Sequence, residues 1–144
     1  MHTTIELVMK QFSEDYVKQF TRERGNDPAR SALVIIDMQN ATGHPDGPLA
    51  RKMKAERNSV TEWRFERIAT HVIPNTQKLI AAMRKAGGRV IYVTIGAALP
   101  DCSDAPIHMR EFFQSLGNYE GQHAHQIIDE LAPELGDPIV RKTS

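Results

Sequence analysis

The chain has 144 residues, of which 40% are hydrophobic and 25% charged, with 18 Lys+Arg balanced by 18 Asp+Glu. This is the composition of a soluble globular domain, and zero net charge removes the basic footprint that nucleic-acid phosphates or an anionic membrane surface would require. There is no run of about 18 apolar residues and no basic stretch leading into an apolar N-terminal core, so neither a membrane span nor a signal peptide is expected, and a cytoplasmic location is.

Residues 1–24 read as an amphipathic helix, because Ile5, Val8, Phe12, Tyr16 and Phe20 recur at spacings of three and four among Glu and Lys. Gly25, Asn26, Asp27 and Pro28 end it. The chain therefore divides into a helix and linker over residues 1–30, to which no chemistry is assigned, and one α/β domain over residues 31–144. Residues 31–37 (SALVIID) form a continuous apolar run closed by an acid, which suits a strand buried on both faces. From Met38 to Arg57 the periodicity is lost, Gly43, Pro45, Gly47 and Pro48 intervene, and a loop with some helix is expected. The basic residues Arg51, Lys52, Lys54 and Arg57 lie near Glu56, Glu62 and Glu66, as on a solvated face.

A second helical pattern carries Ile73, Ile80, Met83 and Ala86 on one stripe, tolerates Pro74 only near a first turn or a kink, and stops at Gly87-Gly88. Residues 90–95 (VIYVTI) are a second β-branched run. Strand, helix and strand in this order make a βαβ unit, whose crossover is right-handed and whose sheet is parallel. Residues 96–106 form a loop carrying Cys102, residues 107–116 a short helix, residues 127–131 a short helical stretch and residues 138–142 (PIVRK) a brief third strand. The one cysteine cannot close an internal disulfide, and with scattered His it is too few for structural zinc.

Ligands of open parallel sheets bind at the carboxyl ends of the strands, where loops and helix N-termini converge. Asp37 closes the first strand and Lys142 the third. A carboxylate and an ammonium there could form a salt bridge alone, or a pair that tunes a reactive group.

The stretches ALVIIDMQN, VIPNTQKLIAAMRKAGGRVIYVTIG and DPIVRKTS resemble, in order and spacing, the first half of the isochorismatase-like cysteine hydrolases, a family of amidases and related hydrolases. The resemblance covers residues 31–144. It implies a Rossmann-like three-layer α/β fold, a parallel sheet with flanking helices of which only the first half is present here. It also implies a catalytic Asp, Lys and Cys, with Asp37 matching the Asp and Lys142 the Lys. Gln39 and Asn40, which follow the Asp, are candidates for orienting it or for binding substrate.

In the family the nucleophilic Cys lies beyond the Lys, at the start of the helix after the fourth strand, whereas this sequence ends two residues past Lys142. Cys102 does not match that motif, and Asp101 and Asp104 beside it oppose the thiolate. Two expectations follow. The first is a hydrolase of small amide, carbamoyl or ureido substrates of which this chain is an N-terminal portion, cut, truncated or complemented by a C-terminal polypeptide, with the thiol carried outside it. The alternative is a catalytically inactive homologue acting as a binding or assembly module. The resemblance and the apolar N-terminal stripe point to a homo-oligomer. No cofactor and no metal are expected, because His44 and His71 lack a compact Asp-x-His chelate and His123 and His125, two apart, face different sides of any helix. Trp63, Phe65, Phe112 and Phe113 are candidate aromatic walls of a substrate pocket.

Overall fold

The structure, a computed structural model, describes residues 27–144 together with Tyr16 and Lys18. The helix expected over residues 1–24 otherwise lies outside the described residues. Asp27 caps a 3-10 turn, Pro28–Arg30, by accepting from the Ala29 N–H at 3.1 Å, and from this turn the chain enters strand β1, Ala32–Ile36. β2, Arg89–Ile95, and β3, Ile139–Lys142, complete a parallel sheet in the order β1-β2-β3. Two crossovers with flanking helices make this the α/β architecture that the sequence predicts.

Helix α1, Pro48–Ala55, begins at Gly47, where a Cβ would lie 2.0 Å from the Asn40 carbonyl oxygen, so no other residue fits this close approach. Helix α2, Ser59–Arg67, runs through one π turn, Ile68–Val72, directly into α3, Ile73–Lys85. Pro74 accounts for the π turn: it has no N–H for the helical ladder, and the widened turn just before it absorbs the fault. At the far end, Gly87 adopts φ +76°, the left-handed stop read from Gly87-Gly88. Helix α4, Ile107–Leu116, has the bounds expected and ends at Gly117 with φ +64°.

One face of the sheet is covered. Ile35, Val90 and Tyr92 pack there against Ile73 and Ile80 of α3 and against Ile127, Ile128 and Leu131. Residues 127–131 do not form the continuous helical stretch expected. The Asn40 N–H donates to the Gln126 carbonyl and the Ile128 N–H to the Met38 carbonyl, both at 2.9 Å, so the segment is held extended before a 3-10 turn, Asp129–Leu131. Pairing with a distant loop outweighs local helix propensity here.

The other face corrects the expectation that β1 is buried on both sides. Strand alternation and register place Val34, Ile36, Ile91, Val93 and Val140 together on this face, and Val34 (47%), Ile36 (58%) and Val140 (52%) are exposed. A continuous apolar run shows that both faces of a strand are apolar; whether both are covered depends on other segments. Among the described residues β1 is also an unpaired edge. No described helix is long and apolar enough to cross a membrane.

Candidate active site

Asp37 is the first residue beyond β1, and its backbone takes the left-handed conformation at φ 57°, a region that Asp and Asn enter more readily than most side chains. The turn ends the strand while the Asp37 N–H still donates to the Val93 carbonyl at 2.9 Å, so the residue stays locked to the sheet. Its carboxylate meets Lys142 at the end of β3. Lys142 Nζ donates to Asp37 Oδ2 at 3.2 Å, with both side chains 36% exposed. Strands two apart in a sheet are separated by roughly 9.6 Å, so the pair closes over the end of β2. The other carboxylate oxygen, Oδ1, is buried and accepts no hydrogen bond among the described residues. An ionised carboxylate is an acceptor only, and a buried acceptor left empty at a sheet rim is a place for a donor to arrive. A cavity of about 170 Å³ opens beside Lys142, bounded also by Gly96, Ala98, Glu120 and Thr143.

Gln39 and Asn40 both turn inward. Gln39 is fully buried; its Oε1 accepts from the Ile95 N–H at 2.8 Å, and its Nε2 donates to Asn118 Oδ1 at 3.2 Å and to the His125 carbonyl at 2.7 Å. The Ile95 backbone faces β1, which has already ended at that level, so the Gln39 side chain continues the sheet where the main chain has left it. Asn118 completes the cap by donating from Nδ2 to the Ile95 carbonyl at 3.0 Å. This places Gln39 among the groups that cap the rim, with its amide occupied by Ile95, Asn118 and His125. The Asn40 amide likewise reaches the His123 and Ile127 carbonyls and Asp129, all at 3.3 Å.

Asn118 and His125 carry no sequence signal for this network, since 79 and 86 residues separate them from Gln39. Asn118 Oδ1 must act as acceptor because its Nδ2 is committed to Ile95, so His125 donates from Nδ1 across 3.0 Å and carries its proton there. Burial, followed by the nearby Arg141 guanidinium, pushes His125 below the usual imidazole range, while Glu120 acts weakly the other way. The unfolded chain takes up this proton near pH ~6.5 and the folded chain resists it, so stability should fall as pH drops below that value toward the folded pKa. Thermal melting between pH 7.5 and 5 should show the slope, and His125→Asn should flatten it; an equal slope in the variant would assign the effect to other groups.

The remaining candidates separate from the rim. Cys102 is buried among Ala97, Ala105 and Phe113, and burial together with Asp104 and Asp101 pushes its thiol up, against the demand on a nucleophile. Phe113 is a core residue at 1% exposure, a correction to its reading as a pocket wall; Phe65, at 7%, packs in the core and borders a cavity beside Pro45 and Ala50, away from the Asp37 and Lys142 pair, and Trp63 is exposed. His44 faces Glu130 at 3.4 Å and His123 faces Asp129 at 2.9 Å. Among the described residues no group of three or more His, Cys, Asp or Glu is arranged to hold a metal ion.

Known proteins share this fold. A cysteine hydrolase from Pseudomonas syringae pv. phaseolicola 1448A superposes with a TM-score of 0.59 at 27% identity, over 83% of this chain and 49% of its own. An isochorismatase family protein from Desulfovibrio vulgaris subsp. vulgaris str. Hildenborough gives 0.56 at 28% identity, over 78% of this chain and 52% of its own. The chain thus spans about half the length of these solved structures. The family model described as Isochorismatase domain matches residues 31–144. With that match over most of its length, and with the fold likeness to these structures, the chain belongs to the isochorismatase family and carries the α/β fold of its cysteine hydrolases.

Proposed function

We propose that this chain contributes the acid and the ammonium of a cysteine hydrolase that cleaves C–N bonds in small amide, carbamoyl or ureido compounds, with the thiol supplied by polypeptide outside these 144 residues. The observation that carries the reading is the Asp37 carboxylate, one oxygen held by Lys142 and the other buried and unbonded among the described residues. A thiol with a free pKa of about 8.5 is mostly protonated at neutral pH, so it needs a neighbouring cation and a base. Lys142 favours the thiolate, and Asp37 Oδ1 accepts the thiol proton.

The thiolate then attacks the substrate carbonyl, the C–N bond breaks, and Asp37 returns the proton to the leaving nitrogen. Water, deprotonated by the same carboxylate, hydrolyses the thioester and frees the acid and the thiol. The Gln39, Asn118 and His125 network acts by positioning the rim. The partners in this reading are a small-molecule substrate and either further copies of the chain or a complementing polypeptide.

The test uses protein made with whatever its gene encodes beyond Ser144, offered a panel of primary amides, N-carbamoyl compounds and ureido acids. Ammonia release that iodoacetamide abolishes is expected. Release indifferent to alkylation, or none across the panel, overturns the proposal.

One observation favours a second reading, an assembly module without activity. The apolar face bearing Val34, Ile36 and Val140, next to a parallel edge unpaired among the described residues, is a surface that a partner strand or helix layer could cover. In that case the same panel yields no ammonia, and light scattering finds the 144-residue chain in a defined complex.

A further inference from the structure

We infer that the covered face of the sheet carries a second binding site, apart from the Asp37 and Lys142 pair, that takes a small zwitterionic amino acid. A cavity of about 310 Å³ lies there, walled by Thr94, Arg141 and Ile139 of the sheet and by Ile127, Asp129 and Pro133 of the loop that crosses it. Thr94 and Arg141 are register partners on β2 and β3. Alternation sends them to the face that holds Tyr92 and Ile139, whereas Val140 and Lys142 belong to the opposite one. The cavity shares His125 and Arg141 with the smaller one at the rim, but neither Asp37 nor Lys142 lines it.

Thr94 is the observation that asks for a ligand. It is 3% exposed, and its hydroxyl is buried without a hydrogen-bond partner among the described residues, although buried polar groups are nearly always bonded. The charges around the cavity select the ligand's chemistry. Among the described residues Arg141 has a single ion-pair contact, 3.3 Å from Glu120 Oε1, and a guanidinium carries five N–H donors, so donors remain for a carboxylate beside the Thr94 hydroxyl. Asp129, steadied by His123 and Asn40, supplies the opposite charge for an ammonium. Between the two, Ile127, Pro133 and Ile139 offer an apolar surface for a side chain. A lone anion would leave Asp129 facing like charge, and a lone cation would do the same at Arg141. His125 is a fixed wall, bonded through Nδ1 to Asn118 and packed on Gly96, where a Cβ would come within 2.5 Å of that nitrogen.

The test is calorimetric titration of the full chain with L-alanine, L-leucine and L-phenylalanine, followed by the analogues of the best binder that lack the ammonium or the carboxylate. Saturable binding is expected for at least one amino acid, with both analogues weaker by roughly tenfold or more. Thr94→Val should weaken binding by a similar factor while thermal stability holds or rises, because a methyl replaces an unbonded hydroxyl in a strand. Arg141→Met should weaken it too, and Asp37→Asn should leave it unchanged. The proposal is overturned by no saturable binding of any of the three. It is equally overturned by affinity indifferent to Thr94→Val and Arg141→Met, by loss in Asp37→Asn, or by an analogue lacking one charge that binds as well as its parent. The first two of these outcomes would leave a water molecule as the partner of Thr94.

Discussion

Asp37→Asn is expected to lower amide turnover by roughly 10²- to 10⁴-fold, the range over which a positioned general acid–base group contributes. The fold should survive. Asn enters the left-handed backbone region as readily as Asp, so φ 57° is no obstacle, and the ion pair it removes is between side chains that are 36% exposed. An ion pair at that exposure is worth about 1 kcal/mol or less. Activity and stability should therefore separate: turnover measured as ammonia release collapses, while the urea midpoint moves little. A variant that keeps its turnover would remove Asp37 from proton transfer, and one that unfolds would show the carboxylate to be structural.

Lys142→Met tests the other half of the pair by a different readout. An ammonium near a thiol favours its charged form, so removing it should move the midpoint of thiol alkylation against pH upward by roughly one to three units. Met retains most of the Lys142 stem, which limits the packing change at the end of β3. Turnover at neutral pH should fall with the thiolate fraction and recover in part at higher pH. An alkylation profile that superposes on the parent would mean that Lys142 only fixes Asp37. Asp37→Asn and Lys142→Met are neighbours at 3.2 Å, so their effects should not add.

The apolar face of the sheet bears on both experiments. Val34, Ile36 and Val140 stand exposed on the face to which Lys142 belongs, and among the described residues β1 has an unpaired edge beside Asp37. Burying such a face yields about 25 cal/mol per Å², so whatever covers it also decides how dry the ion pair becomes and how strongly its charges act. The pair is best assayed in protein whose sheet is covered.

Much of this molecule was legible in the order of its residues. Apolar runs ending in Asp37 and Lys142, an amphipathic helix stopped by Gly87-Gly88 and the β-branched run of β2 determine strand, helix, strand and the parallel crossover between them, because backbone propensity and side-chain periodicity act over a few residues. The same local signals located Ile107–Leu116 and marked two ionisable strand ends. They allowed Asp37 and Lys142 to pair as two charged strand ends, but could not say that these residues, 105 apart, meet at 3.2 Å. Nor could they say that Gln39 would spend its amide on Ile95, Asn118 and His125, that residues 126–128 would be drawn extended against residues 38–40, or that one apolar face would stand uncovered. Those outcomes depend on which polar groups and surfaces come face to face after the chain has folded back on itself. Only the tertiary structure decides them, because desolvation and hydrogen bonding between distant segments override what each segment prefers alone.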